Sequence, residues 1–254
     1  MFTYENKIKE IDELQKEINS YRPLQGQQLK ELREYYKIGL TYSSNALEGN
    51  SLTETETKIV LEDGLTIGGK PLKDHYEATG HAAAYDLIYE LAKGQTIKEA
   101  DILELHRLFY HQIDEAQAGK YRSQQVIITG TEFIPPAAKQ VPVLMKEFVA
   151  NLSKIKQEKH PVEYAALAHL DFVEIHPFVD GNGRVARLLM NVVLIAMGYV
   201  ITIIPPVVRR DYIDAIKAAQ TGEKSKQPFI NFISNMVLES QKDYLRLLKA
   251  LKKS

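Results

Sequence analysis

The stretch IHPFVDGNGRVARLLMNVVL, residues 175–194, places several reactive side chains directly ahead of an apolar helical run. The turn at residues 181–183 is predicted to form the N-terminus of that helix, where unpaired N–H groups and the positive end of the helix dipole bind anions. Arg184 and Arg187 are three residues apart and project from the same side of the first helical turns. Two guanidiniums beside such a turn suit a di- or triphosphate.

Two further side chains of this stretch could act on a bound polyphosphate. Asp180 lies just before the turn, where a carboxylate would repel phosphates unless a cation lay between them. Mg²⁺ commonly combines one protein carboxylate with phosphate oxygens. His176 is the only side chain of the stretch that can take up a proton near neutral pH. A Gly-Asn-Gly sequence alone indicates only a turn, but its occurrence with a base and a metal ligand predicts transfer of part of a nucleotide to a hydroxyl group.

The composition narrows the class of protein. The chain has 254 residues, of which 44% are hydrophobic and 26% charged, as in ordinary globular proteins. The net charge of −1 creates no field that favours nucleic acid or an anionic membrane, and we expect neither as a partner. No cysteine is present, which excludes disulfides and thiolate chemistry. Because residues 1–17 are charged and the apolar run at 192–204 is too short to span a bilayer, we expect a cytoplasmic protein.

Helix signals dominate the chain and predict a mainly α protein. Two capping boxes are expected, Thr53 with Glu56 and Thr96 with Glu99. The one predicted strand pair is a hairpin at 125–136, which has a Gly-Thr turn at its centre and Pro-Pro at its end. Helices are predicted at about 5–20, 27–47, 53–63, 74–93, 97–113, 141–157, 162–174, 182–197, 208–220 and 228–252.

The sequence HPFVDGNGRVAR at 176–187 matches in full the signature of Fic-domain proteins, His-x-Phe-x-Asp/Glu-Gly-Asn-Gly-Arg-x-x-Arg. The resemblance extends over about 97–236 and includes GKYR at 119–122. It implies the Fic fold, a helical bundle with a small β-hairpin flap. The implied regions are an N-terminal helical region at 1–95, a core at 96–240 with the flap at 125–136 and the active-site loop at 176–187, and the end of the C-terminal helix at 241–254.

The resemblance implies a protein adenylyltransferase, which moves AMP from ATP, with Mg²⁺ or Mn²⁺, to a Ser, Thr or Tyr hydroxyl of a target protein or of itself. His176 would deprotonate that hydroxyl, Asp180 would hold the metal, and Phe178 would pack inward to fix the loop. The implied nucleotide-binding residues are Gly181, Asn182, Gly183, Arg184 and Arg187 in the loop, Thr129, Gly130, Thr131 and Glu132 in the flap, and Gln220 near the adenine.

A second motif, SSNALEGN at 43–50, ends the second predicted helix. By itself it reads as a polar helix end with a glutamate placed against the helix dipole. Ser44, Glu48 and Gly49 nevertheless match the Fic inhibitory motif, Ser/Thr-x-x-x-Glu-Gly/Asn. Its position ahead of the core resembles the class with an N-terminal inhibitory helix in cis. The implied role of Glu48 is to pair with Arg187 and keep it from the γ-phosphate.

Several alternatives remain open at this point. Glycine at 183 differs from the lysine of the related Doc-type kinases, but the motif does not separate AMP transfer from phosphocholine transfer. The same residues would allow removal of AMP with Glu48 positioning a water, or nucleotide sensing without turnover, although a sensor has no need of His176. A homodimer is expected, and a DNA-binding regulator is disfavoured because only one long amphipathic helix follows Phe229. The remaining histidines form no metal-binding pattern and are expected to be structural or surface residues: His75, His81, His106, His111, His160 and His169.

Overall fold

A computed structural model describes residues 3–94, 96–221 and 224–252. Within these ranges the chain forms ten α-helices and two short 3₁₀ turns, without a β-strand, which confirms the prediction of a mainly α protein. None of the helices in these ranges combines the length and apolar character needed to cross a membrane. The helices are α1 (Ile8–Asn19), α2 (Gly26–Ala46), α3 (Glu54–Glu62), α4 (Leu72–Ala92), α5 (Glu99–Tyr110), α6 (Val141–Glu158), α7 (Pro161–Ile175), α8 (Asn182–Ala196), α9 (Arg209–Gln220) and α10 (Gln227–Leu251).

Helix α8 is the centre of the fold, with twelve of its 15 residues buried. It packs most extensively against α7 and is also in contact with α2, α4 and α5. A helix that is apolar on nearly every side has to be enclosed by other elements. The enclosure carries Arg184 and Arg187, on the first turns of α8, into the protein interior, where they are 4% and 1% exposed.

Helix α2 brings the second motif to the N-terminal end of α8. It packs on α3, α4 and α8 and ends at Ala46. The N–H of Asn50 donates to the Asn45 carbonyl at 3.1 Å, across Gly49, whose φ of 96° is a left-handed conformation typical of helix C-termini. This turn fixes the direction of Glu48.

The predicted β-hairpin at 125–136 is wrong. The segment makes a turn at Thr129–Gly130, but its two arms form no strand, and the amide of Gln125 holds them together by donating to the Pro135 carbonyl at 2.9 Å. Ile127 and Ile134 are 92% and 79% exposed. A two-stranded ribbon with no buried face is marginally stable, and the Pro-Pro end cannot donate ladder hydrogen bonds.

Of the two predicted capping boxes, one is confirmed. Thr53 and Glu56 make both reciprocal bonds at the start of α3. At α5 the prediction is wrong, because the helix begins two residues later and the N–H of Lys98 donates to the Asp101 carboxylate at 2.8 Å. The carboxylate of Glu99 instead accepts from the Tyr121 hydroxyl at 2.9 Å.

Close packing of α4 on α5 depends on Gly80. A Cβ atom at this position would overlap the backbone carbonyl of Phe109. Alanine normally stabilises a helix relative to glycine by about 1 kcal/mol, but overpacking against backbone costs about 1–3 kcal/mol and should prevail. We therefore expect Gly80→Ala to lower the free energy of unfolding, measured by urea denaturation. Gly68→Ala is the matched control, since nothing lies within 4 Å of a Cβ there; equal stabilities would contradict this packing.

Candidate active site

The loop begins where α7 ends. His176 caps the helix in a left-handed conformation with φ 52° and ψ 59°, which is uncommon for a residue other than glycine. Its carbonyl accepts a hydrogen bond of 2.8 Å from Nε of Arg122, and the N–H of Arg122 donates to the Pro177 carbonyl at 2.9 Å. Arg122, from the GKYR sequence, therefore holds the strained start of the loop.

Arg122 also holds the base of the flap, the name used here for residues 125–136. Its terminal nitrogens donate to the carbonyls of Gln124 and Pro136 at 3.1 and 2.5 Å. The side chain is 2% exposed, and burial lowers the pKa of its guanidinium. A buried cation needs several acceptors to compensate for lost hydration. Here those acceptors are the carbonyls of His176 in the loop, of Gln124 just before the flap and of Pro136 at its end.

Phe178 and Asn182 close the loop from inside. Phe178 is fully buried and its ring stacks on His106 at 3.7 Å. The Asn182 amide accepts from the Phe178 N–H and donates to the Phe178 carbonyl, both at 2.9 Å. Asn182, predicted to contact phosphates, thus uses its side chain to fix the loop.

His106 on α5 connects the loop to the GKYR turn. Its Nδ1 accepts from the N–H of Gly119 at 3.0 Å, which leaves Nε2 protonated and able to donate to the Asp180 carbonyl at 3.2 Å. Burial lowers the pKa of His106 to about 4, so this tautomer is the neutral form at physiological pH.

The turn at 181–183 has the backbone that an anion site needs. Gly181 has φ 80°, and a Cβ there would lie 2.8 Å from the Phe109 ring. The first α8 hydrogen bond runs from the N–H of Val185 to the Gly181 carbonyl at 3.0 Å. The preceding N–H groups, including that of Gly183, have no acceptor within the helix and can bind an anion.

Asp180 belongs to a cluster of alternating charges. Its Oδ1 accepts from Arg184 at 3.0 Å, and its Oδ2 faces the ammonium of Lys73 at 3.5 Å. Arg184 also pairs with Glu77 at 2.9 Å and stacks over Phe109 at 4.6 Å. Burial raises the pKa of Asp180, but Arg184, the Gly181 N–H and Lys73 together lower it further, so the carboxylate is ionised.

Arg187 is the most thoroughly satisfied of the loop cations. Its Nε donates to the Ser44 hydroxyl at 2.9 Å, and Nη2 donates to the Ser44 carbonyl at 2.7 Å. Nη1 donates to the Tyr212 hydroxyl at 3.1 Å. Nη2 also pairs with Oε1 of Glu48 at 2.8 Å. Ser44 thus binds the edge of the guanidinium formed by Nε and Nη2, and Glu48 binds Nη2 from the opposite side.

The Glu48 carboxylate lies directly over Gly183. A Cβ atom at 183 would overlap Oε1 of Glu48 and lie 3.1 Å from Nη1 of Arg187. Burial raises the pKa of Glu48, but the guanidiniums of Arg187 and Arg184 lower it further, and the net pKa is below the ordinary value. The side chain is 35% exposed, so this ionised carboxylate borders solvent beside the turn at 181–183.

A cavity of about 540 Å³ lies between the flap and the end of α9. From the flap, Gly130, Thr131 and Glu132 line it, while Thr129 does not. From α9 and the residue after it, Lys217 and Thr221 line it rather than the predicted Gln220.

Several contacts at the site were not predicted from the sequence. Lys73 and Glu77 share a face of α4, but the sequence contains nothing that ties this face to α8. The sequence of α5 likewise gave no indication that His106 would contact the Asp180 carbonyl. The GKYR sequence was noted only for its resemblance to the Fic family. That Arg122 would bind carbonyls of both the loop and the flap region was not predicted.

Comparisons with known proteins agree with this fold and site. A model of the Fic/DOC family matches residues 96–194. A Fic domain containing signaling protein from Bacteroides thetaiotaomicron has 31% identity and a TM-score of 0.86, and the match covers 96% of this chain and 97% of that one. Fic-1 from C. elegans, residues 134–508, has 31% identity and a TM-score of 0.84, with 97% and 72% covered. The chain belongs to the Fic family, as the signature at 176–187 predicted.

Curated relatives carry a functional name. The protein adenylyltransferases Fic of Drosophila willistoni and Drosophila melanogaster are each 39% identical over 206 residues, which is 80% of this chain. The match spans 41% of the length of either relative, so the chain corresponds to less than half of each.

Four histidines around the loop are held in the neutral form: His81, His106 and His169 are fully buried, and His176 is partly buried. Burial lowers the pKa of His81 to about 3 and that of His106 and His176 to about 4, and lowers the pKa of His169 well below its ordinary value. The nearby Arg187 guanidinium adds to this effect at His81 and His169.

The resulting pH dependence can be measured. Between the ordinary value of 6.5 and about 4, the unfolded chain binds protons that the folded chain does not. The free energy of unfolding should therefore fall as pH drops from 6.5 to 5, by about 1.4 kcal/mol per pH unit for each additional proton bound. Urea denaturation at pH 7.5, 6.5, 5.75 and 5 measures this slope. His81→Gln should give a shallower slope than wild type; the same slope in both would show that His81 is not buried as the neutral form.

Proposed function

We propose that this protein transfers AMP from ATP to a hydroxyl group of a protein side chain and that Glu48 holds it in an inactive state. The observation that carries the proposal is the loop at 176–187, where a histidine, an anion-binding turn and an ionised aspartate are held together by Arg122 and His106. The Drosophila relatives named protein adenylyltransferase support it. The regions 1–95, 96–240 and 241–254 are proposed as inhibitory region, catalytic core and terminal helix.

His176 is proposed as the general base. Burial lowers its pKa to about 4, so the imidazole is neutral at pH 7 and can accept a proton. As the target hydroxyl oxygen bonds to the α-phosphorus, the bond from that phosphorus to the α–β bridging oxygen breaks and pyrophosphate leaves. The hydroxyl proton passes to His176. The left-handed backbone and the Arg122 bond to its carbonyl hold the ring at the start of the loop.

The anion-binding turn is proposed to hold the phosphates through its N–H groups, with Arg187 on the γ-phosphate. Both terminal nitrogens of Arg184 already pair with Glu77 and Asp180. Arg184 therefore contributes positive charge to the phosphate site while it positions Asp180. The base of the nucleotide is proposed to occupy the cavity between flap and α9, against Thr131 and Lys217.

Asp180 is proposed to hold Mg²⁺ or Mn²⁺. The donor fits, because its ionised carboxylate has hard oxygens and is 39% exposed beside the turn. In the described ranges no group of three or more His, Cys, Asp or Glu side chains could hold an ion without further ligands. Such an ion would take its remaining ligands from the nucleotide and from water, and it would neutralise charge on the phosphates.

The flap is proposed to align the target protein. Its arms lack a strand partner, and the side chains of Ile127 and Ile134 face solvent. An extended target segment could pair with this backbone as an added strand and present a Ser, Thr or Tyr hydroxyl to His176.

Removal of AMP is a second candidate for the same site. The observation that favours it is that Glu48 is ionised, borders solvent and lies over Gly183 beside the phosphate turn. A carboxylate in that position could orient a water for attack on a phosphorus atom. Nucleotide sensing without turnover is the third possibility, and it is the one that does not require His176.

The group transferred can be identified with isotopes. In the Glu48→Gly background, label should pass to protein from α-³²P-ATP but not from γ-³²P-ATP, disappear with EDTA and return with Mg²⁺ or Mn²⁺. His176→Ala in the same background should lower the rate by ~10²–10⁴-fold while ATP binding changes little, because the phosphate ligands lie after residue 176. Transfer of γ-label would indicate a kinase, and full transfer by the His176 variant would refute its role as base.

Inhibition by Glu48 gives a separate prediction. Loss of the carboxylate leaves Arg187 anchored by Ser44 and Tyr212 with one edge free for the γ-phosphate. Self-labelling by Glu48→Gly should therefore exceed that of wild type by ~10²-fold or more, since a misaligned donor costs about this much, while the Kd for ATP changes far less.

Controls for this experiment are available in the chain. Glu158→Gly removes an exposed glutamate from the end of α6 and should leave self-labelling unchanged. Arg187→Ala added to Glu48→Gly should abolish the gain, with folding checked by thermal denaturation. Equal labelling by wild type and Glu48→Gly would show that the carboxylate has no inhibitory role.

A further inference from the structure

A second cavity lies at the opposite end of α8 from the active-site loop. It has a volume of about 340 Å³ and is bordered by Ile195 and the segment 198–201 that follows the helix. Because α8 has 15 residues, this end is roughly 20 Å from the phosphate-binding turn. Aliphatic side chains of α2, including Leu29 and Leu32, form one wall, and four tyrosine rings form much of the rest. The lining contains two arginines and no carboxylate.

The first arginine, Arg33, is an unpaired cation. Its guanidinium lies 4.2 Å above the ring of Tyr89, and its Nε is shielded from solvent without a hydrogen-bond partner. Among the described residues the guanidinium makes no ion pair. The neighbouring carboxylates of Asp86 and Glu90 pair instead with Lys37 at 2.8 Å and Lys93 at 2.7 Å. A partly buried guanidinium in this state retains unused donors for a ligand anion.

The second arginine, Arg22, approaches from the segment between α1 and α2. Its Nη1 donates to the carbonyl of Gly198 at the rim of the cavity. Burial raises the pKa of the Tyr244 hydroxyl, and Arg22 and Arg33 both partly oppose that rise, so both cations act on this one hydroxyl. Arg22, Arg33 and Tyr244 thus line one cavity, and all of its other lining residues are uncharged.

We propose that this cavity binds a small amphipathic carboxylate, with its apolar body against the leucine and tyrosine walls and its carboxylate between Arg22 and Arg33. The volume suits a body of about ten non-hydrogen atoms. The planar guanidinium fork matches a carboxylate, and apolar walls favour a monoanion over a phosphate dianion, whose desolvation costs more. Binding at this cavity does not depend on the proposed transfer activity.

The test compares two ligands that differ only in the polar end, 3-phenylpropionate and 3-phenylpropan-1-ol. By calorimetry on the full chain, the acid should bind at least ~10-fold more tightly than the alcohol, the ratio expected of charge-assisted hydrogen bonds. Saturating Mg-ATP should leave the affinity of the acid unchanged. Equal binding of acid and alcohol, absence of saturable binding, or displacement by ATP would overturn the proposal.

Variants locate the site. Arg33→Gln should reduce the preference for the acid to within ~3-fold, while Arg210→Gln, which alters a side chain 94% exposed on α9, should preserve it. If Arg33→Gln does not fold by circular dichroism, Tyr244→Phe replaces it, with an expected ~3–10-fold weakening for the acid alone. An unchanged preference in the folded Arg33 or Tyr244 variant would place the ligand elsewhere and refute this site.

Discussion

The active site depends on a guanidinium that water cannot reach. Arg187 is 1% exposed, and a buried cation destabilises a fold unless acceptors surround it. Those acceptors come from two helices: Ser44 and Glu48 belong to α2 and its C-terminal turn, and Tyr212 belongs to α9. The Tyr212 hydroxyl in turn lies 2.9 Å from His169 of α7. Satisfying one charge on α8 therefore fixes the relative positions of the helices that enclose it.

The loop is rigid for a related reason. Its backbone is left-handed at two places, His176 and Gly181. Glycine adopts this conformation readily, but at His176 it persists only because the surroundings enforce it. Arg122 holds the first, and the close approach of Phe109 and His106 confines the second. Between these two positions, Phe178 stacks on His106 and adds a buried aromatic contact. The groups proposed to bind phosphate and to accept a proton are thus held in place by contacts within the protein itself.

Local features of the structure could be predicted from the sequence, whereas most contacts between distant parts of the chain could not. Helix positions followed from local periodicity and capping, and the pairing of Glu48 with Arg187, 139 residues apart in the chain, was anticipated through two motifs. The roles of Lys73, Glu77 and His106 depend on how α4 and α5 pack on α8, which periodicity does not encode. The hairpin failed because β-branched residues favour extended backbone, but a ribbon without a covering layer lacks the burial that stabilises strands.

The arrangement also bears on the proposed inhibition by Glu48, because it determines which partner of the ion pair can move more easily. Arg187 is held by Ser44 and Tyr212 as well as Glu48, so its position does not depend on the carboxylate. Moving Arg187 would separate a buried cation from its hydrogen-bond acceptors. Glu48 is 35% exposed, so water could replace its contact with Arg187. The lower desolvation of Glu48 therefore favours displacement of the acid over displacement of the arginine. Regulation of this site would therefore act on the turn after α2, where Gly49 allows the chain to reverse, and leave α8 in place.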